Sequence, residues 1–254
     1  MNSLPFSTIR RVALNEARLL FDNGVDGIII ENMADLPYQR PEQRGPETTA
    51  MMTDIASLIR TDFTESTIGV QVLSGGNREA LAIAAAADLD FIRLESFVFG
   101  HVGDEGWTES NAAETLRYRK AINACDVKIM TDIKKKHSSH AITGDVDIGD
   151  TAVAADFFLT GLDTFKSLNS FKLFKDGVII TGTHTGRAAD VEEFHRVKER
   201  VPNLPVWIGS GVTSDNIDAF QAADGLIIGS EFKVDGKWSN ELDIERIRAV
   251  TMRK

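Results

Sequence analysis

Hydrophobic positions along the chain alternate between two periods. Short unbroken apolar runs, rich in β-branched residues, read as strands buried on both faces of a parallel sheet. Stretches with helical spacing separate them. The clearest strands are Val206-Trp207-Ile208-Gly209-Ser210-Gly211-Val212 and its echo Leu226-Ile227-Ile228-Gly229-Ser230, both passing abruptly into Gly-Ser. Ser214 to Ala222, with Ser214 as N-cap, is the predicted helix between them.

The same rhythm holds upstream. Thr8 to Asn23 has helical spacing and stops at Gly24; Gly27-Ile28-Ile29-Ile30-Glu31-Asn32 follows as a strand. A loop from Met33 to Gly45 leads into a helix over Pro46–Arg60, with proline at its first position. Ile68–Leu73 is a strand, and Asn77 caps an alanine-rich helix to Ala87. Phe91–Ser96 is a strand, Phe97–Ser110 a glycine-rich loop and Asn111–Ala124 a helix. Lys128–Ile133 is a strand, followed by a polar loop to Asp150 and a helix from Thr151 to Phe158. Asp176–Gly182 is a strand and Asp190–Arg200 a helix; after the two Gly-Ser strands, Asp243 caps a last helix.

Alternating strands and helices imply a parallel sheet with right-handed crossovers. The pattern predicts a single α/β domain over residues 1–254, a (β/α)8 TIM barrel, whose usual length is about 250 residues. Only seven strands are read where a closed barrel has eight, and the first strand is the one lacking, because the chain opens on a helix. One stretch breaks the rhythm. Residues 159–175 lengthen a helix-to-strand connection that ordinarily takes about 2–6 residues, so an insertion is expected there.

Composition narrows the function classes. Lys and Arg number 28 against 38 Asp and Glu, a net charge of −10, which disfavours nucleic acid and anionic membranes as partners. No apolar run reaches membrane-spanning length, so no membrane insertion is expected. A small anionic metabolite remains compatible, since local N–H groups and a few cations decide that binding; a homo-oligomer is left open. Cys125 is the only cysteine, which excludes an internal disulfide and fits a reducing compartment. Without a signal-like start the expected location is cytoplasmic, or mitochondrial if a further N-terminal segment carried an address.

In this architecture polar residues at the carboxyl ends of strands face the active site. That rule selects Glu31, Asn32, Arg93, Glu95, Asp132, Thr181, Ser210 and Ser230. Glu31 and Asp132 come from different strands and suit an acid–base or metal-binding pair, against a purely structural role. Arg93 and Glu95 lie on one face of a strand, as ligand contacts or as an internal ion pair. The run Lys134-Lys135-Lys136 is either a solvated face or supplies one inward lysine to an anion, with Lys136 as the catalytic candidate. Gly209, Ser210, Gly211, Gly229 and Ser230 are read as an anion cradle, against tight turns that merely need glycine. Thr181-Gly182-Thr183-His184-Thr185-Gly186 adds donors but lacks a P-loop ending. His101, Asp104, His137 and His140 lie in loops, where a local hydrogen bond is favoured over a metal role. His195 reads as solvent-facing and Cys125 as a packing residue. No metal site is assigned, and no cofactor is identified.

Several stretches together resemble the BtpA family, whose members include photosystem I biogenesis proteins and SgcQ-like proteins. They are Gly24–Asn32, Pro46-Glu47-Thr48, Phe91-Ile92-Arg93, Asp104-Glu105-Gly106, Thr115–Arg119, Val178–Gly182 and Gly209–Thr213. The resemblance implies a TIM barrel of the ribulose-phosphate-binding type and supplies no catalytic residues. It leaves two functions in view: an enzyme or binder of a small phosphorylated metabolite (a sugar phosphate or nucleoside derivative), or a non-catalytic assembly factor. Members usually begin with a further strand and have a shorter connection where residues 159–175 lie.

Overall fold

The structure, a computed structural model, describes residues 4–160, 175–182 and 188–253. The chain divides into two compact units, Met1–Leu94 with Thr115–Lys128, and Glu95–Glu114 with Ile129–Lys254.

In the first unit α1 (Phe6–Asp22), β1 (Gly27–Glu31), α2 (Pro46–Asp62), β2 (Thr67–Gln71), α3 (Asn77–Ala86) and β3 (Phe91–Leu94) follow one another as strand–helix repeats. β1 pairs with β2 and β2 with β3, both parallel. The core is aliphatic: Ile68, Val70, Leu81, Ala84, Ile92 and Leu94 are fully buried. Arg44, its side chain only 3% exposed, anchors the long loop before α2. It donates to the carbonyls of Gln39 and Ser74 and pairs with Glu79.

The second unit opens on a feature absent from the predicted loop over Phe97–Ser110. β4 (His101–Gly103) and β5 (Gly106–Thr108) form an antiparallel hairpin around Asp104-Glu105. After α4 (Ala112–Ala121) comes β6 (Lys128–Ile133), and β7 (Ser138–Ser139) in the following loop pairs antiparallel with β4. α5 (Ile148–Thr160), β8 (Gly177–Ile180), α6 (Val191–Arg200), β9 (Val206–Ile208), β10 (Gly225–Leu226) and α7 (Ile244–Thr251) complete it. β6, β8, β9 and β10 pair in that order, all parallel. The described parallel strands therefore number seven.

Asp243 caps α7 as predicted and Asp190, read as the first residue of its helix, caps α6; each accepts from two backbone N–H groups of the first turn. A different carboxylate device recurs before strands. Asp90, Asp176 and Asp224 directly precede β3, β8 and β10, and each accepts a backbone N–H from a neighbouring strand or its edge: Ile68, Ile129 and Val206, all at 2.8 Å. These clamps sit at the amino ends of the strands, the face associated with stability rather than chemistry.

Three register pairs oppose a glycine to a bulky residue: Gly69 to Phe91, Gly177 to Met130 and Gly225 to Trp207. A Cβ would lie 2.4 Å from the Phe91 ring, 2.8 Å from Met130 Cε and 2.7 Å from Trp207 Nε1. Bare backbone is what admits these side chains.

The helix expected over Ser214–Ala222 is instead a single 3-10 turn, Ile217–Phe220. Asn216 accounts for this: its side chain donates to Gly211 O and accepts from Thr213 N, both at 2.8 Å, competing with helical hydrogen bonds. Cys125 is exposed rather than packed. Residues 161–174 of the expected insertion, and 183–187 of the threonine-rich stretch, lie outside the described residues.

Candidate functional site

Parallel pairing puts the carboxyl ends of β6, β8, β9 and β10 along one edge of the second unit. β6 is buried on both faces up to Ile133. Lys134 then adopts φ +50°, a left-handed conformation costly for a residue with a side chain. The turn sends Lys135 inward. Its Nζ lies 3.2 Å from Glu95 Oε2, and both side chains are 8% exposed. Burial alone would lower the Lys135 pKa. Glu95, Glu105 and Asp132 together outweigh it, and the ammonium is held above its ordinary range. The predicted Lys136 enters through its backbone, donating to Thr181 Oγ1 at 3.0 Å.

Two imidazoles border this pair. His101 on β4 is 3% exposed, its Nδ1 3.3 Å from Ser96 Oγ, and its ring centroid 5.3 Å from that of His140. Burial, the Lys135 ammonium and His140 lower the His101 pKa to about 4, so the ring is neutral at physiological pH. His140 Nε2 lies 3.0 Å from Lys135 O, and its pKa is lowered chiefly by burial. The pattern of polar strand ends found Glu95 and Asp132 but not His101, which sits in the unpredicted hairpin. The signal was present: His-Val-Gly and Gly-Trp-Thr flank the two turn residues Asp104 and Glu105.

At the neighbouring strand ends, Ser210 Oγ accepts from Gly182 N at 2.6 Å, so its hydroxyl braces the end of β8. Gly209 N–H is engaged by Ile180 O at 2.7 Å. Among the described residues nothing accepts from the N–H groups of Gly211, Gly229 or Ser230. Gly211 has φ +64°, and a Cβ on Gly229 would meet nothing within 4 Å.

The remaining predicted residues belong to the first unit. Arg93, 5% exposed, places Nη1 3.5 Å from Glu31 Oε1. Asn32 both donates to Leu73 O at 3.0 Å and accepts from Leu73 N at 2.7 Å, acting as a side-chain rung beyond β1. Among the described residues, no group of three or more His, Cys, Asp or Glu side chains is placed to hold a metal ion. No described helix is long and apolar enough to cross a membrane.

Among solved structures, phosphoribosyl anthranilate isomerase from Thermus thermophilus superposes with a TM-score of 0.53 at 14% identity, covering 94% of this chain and 92% of its own. Orotidine 5'-phosphate decarboxylase from Pyrococcus horikoshii gives 0.54 at 15%, covering 95% and 92%. These likenesses establish the fold, a (β/α)8-type barrel. An uncharacterized mitochondrial protein of Caenorhabditis elegans is 42% identical over 97% of this chain and 84% of its own length. The photosystem I biogenesis protein BtpA of Synechocystis is 34% identical over 93% of this chain and 76% of its own. The family model for BtpA matches residues 4–254, and the chain belongs to the BtpA family.

Proposed function

We propose that this chain binds a small phosphorylated metabolite, a sugar phosphate or nucleoside phosphate, at the carboxyl ends of β9 and β10. The carrying observation is the set of N–H groups on Gly211, Gly229 and Ser230 that no described residue accepts from, at strand ends where this architecture commonly binds phosphate. Open space over Gly229 lets an oxyanion approach the main chain. The names of the two solved neighbours, a phosphoribosyl and a 5'-phosphate enzyme, support the same ligand class. The buried Lys135–Glu95 pair, with Asp132 close enough to influence it, supplies acid–base groups on the same unit. The name of the Caenorhabditis elegans relative supports a mitochondrial location for this chain.

Thermal-shift and calorimetric titration with pentose phosphates, hexose phosphates and nucleoside monophosphates, each beside its unphosphorylated parent, tests the reading. Phosphorylated compounds alone are expected to stabilise the chain. Gly229→Asp, which adds a carboxylate into open space, is expected to weaken binding at least about tenfold without loss of the fold. Equal response to phosphorylated and unphosphorylated compounds, or unchanged binding by Gly229→Asp, refutes the phosphate site.

A further inference from the structure

The β4–β5 hairpin carries a device that the proposed phosphate site leaves unused. It is held to the rest of the second unit by a narrow seam, Val102 opposite Ser139 and Gly103 opposite Ser138. Both segments leading into that seam hold left-handed residues that are not glycine. Ser96 and Phe99 precede β4 at φ +55° and +58°, and Lys134 and His137 precede β7 at +50° and +55°. Such backbone is retained only where surrounding contacts hold it, and it gathers at switching segments. The outer side of the hairpin makes little packing: Val102 and Trp107 are each 45% exposed.

Beneath the seam lies an interaction that penalises the closed form. His101 Nε2 is buried with no hydrogen-bond partner among the described residues. A buried nitrogen left unsatisfied calls for an explanation. The charged groups acting on the two rings are Lys134 and Lys135 from the loop after β6 and Glu95 at the end of β3, while Glu105 in the hairpin turn and Asp132 within β6 act on Lys135. The Lys135 ammonium bears on both rings, and Lys134 on His140 as well, so a proton on either imidazole places like charges together in a buried site.

We propose that the β4–β5 hairpin is an acid-released latch, closed by the neutral imidazoles of His101 and His140 over Lys135 and opened when they take up protons. The direction follows from linkage. His101 in the closed form holds its pKa near 4, whereas a solvent-exposed histidine titrates near 6.5. The open form therefore binds more protons between these values. Closure is strongest above pH 6.5 and weakens as the pH falls, by up to about tenfold per unit for this one group, until about pH 4. His140, shifted in the same direction, adds to the effect.

Hydrogen exchange on the full chain, corrected for intrinsic rates, reads the latch directly. Amides of residues 101–108 and 138–139 are expected to lose at least about fivefold in protection between pH 7.5 and 5.0, while those of β8 and α6 keep theirs. His101→Phe, which removes both ring nitrogens, is expected to reduce that dependence to the part that His140 supplies. Unchanged hairpin protection in the parent, or full pH dependence in a folded His101→Phe, overturns the proposal. Histidine NMR on the unsubstituted chain provides a test independent of the variant: His101 is expected to titrate below the ordinary value near 6.5, and a ring that titrates at or above that value overturns the latch.

Discussion

Lys135 and Glu95 illustrate what a single buried contact demands of its neighbours. A charge this deep is tolerated because its counter-charge lies 3.2 Å away. Lys135→Met or Glu95→Gln alone is expected to destabilise the chain by about 3–5 kcal/mol, because each strands the other charge. The double variant is expected to cost clearly less than the two losses added, a coupling that urea unfolding of the four-member cycle measures. The pH dependence has a defined sign. The folded pKa of Lys135 is raised, so its contribution is fully present below the unfolded value near 10.5 and is lost as the pH climbs through the folded value. Equal alkaline stability of the parent and Lys135→Met would refute that assignment. The lysine run was legible as a source of one inward cation, but not which one. Period-two alternation from Asp132 selects Lys134 and Lys136. The left-handed turn at Lys134 shifts the alternation by one residue, and no pattern of hydrophobicity encodes that shift.

At the scale of elements, strands and helices were readable because their apolar periods are strong, and the aspartate at its cap announced α7. The misreadings arose where side chains competed with main chain. Asn216 took the hydrogen bonds of a predicted helix, and the glycines of 100–106 hid a hairpin inside an apparent loop. The aspartate clamps give this scale its own prediction. Asp90 accepts from Ile68 N and also pairs with Arg60 at 2.5 Å. Asp90→Ala is expected to cost about 2–4 kcal/mol by stranding both a buried N–H and a guanidinium, and Asp90→Asn less, since its amide oxygen still accepts. Chemical denaturation measures both; an Asn variant as damaged as Ala would show that the charge rather than the backbone contact dominates.

For the whole molecule, α4 and β6 each contribute residues to both compact units, so neither unit keeps intact elements without the other. We infer that the chain behaves as one barrel domain. Urea transitions followed by far-ultraviolet circular dichroism and by tryptophan emission are expected to coincide. Two separated transitions would refute single-domain behaviour. The acidic balance of −10 further leads us to expect no measurable affinity for duplex DNA at physiological salt, a result that filter binding checks.

The glycines opposite Phe91, Met130 and Trp207 carry a historical consequence. Each pair divides a fixed volume between two neighbouring strands, so neither member can drift by itself. A relative that acquires a side chain at the position of Gly69 should carry a smaller residue where Phe91 stands, and the intermediate with both should be a poorly folding ancestor. Descent through this lineage is thus expected to leave correlated exchanges at those positions, a trace that comparison among relatives can recover.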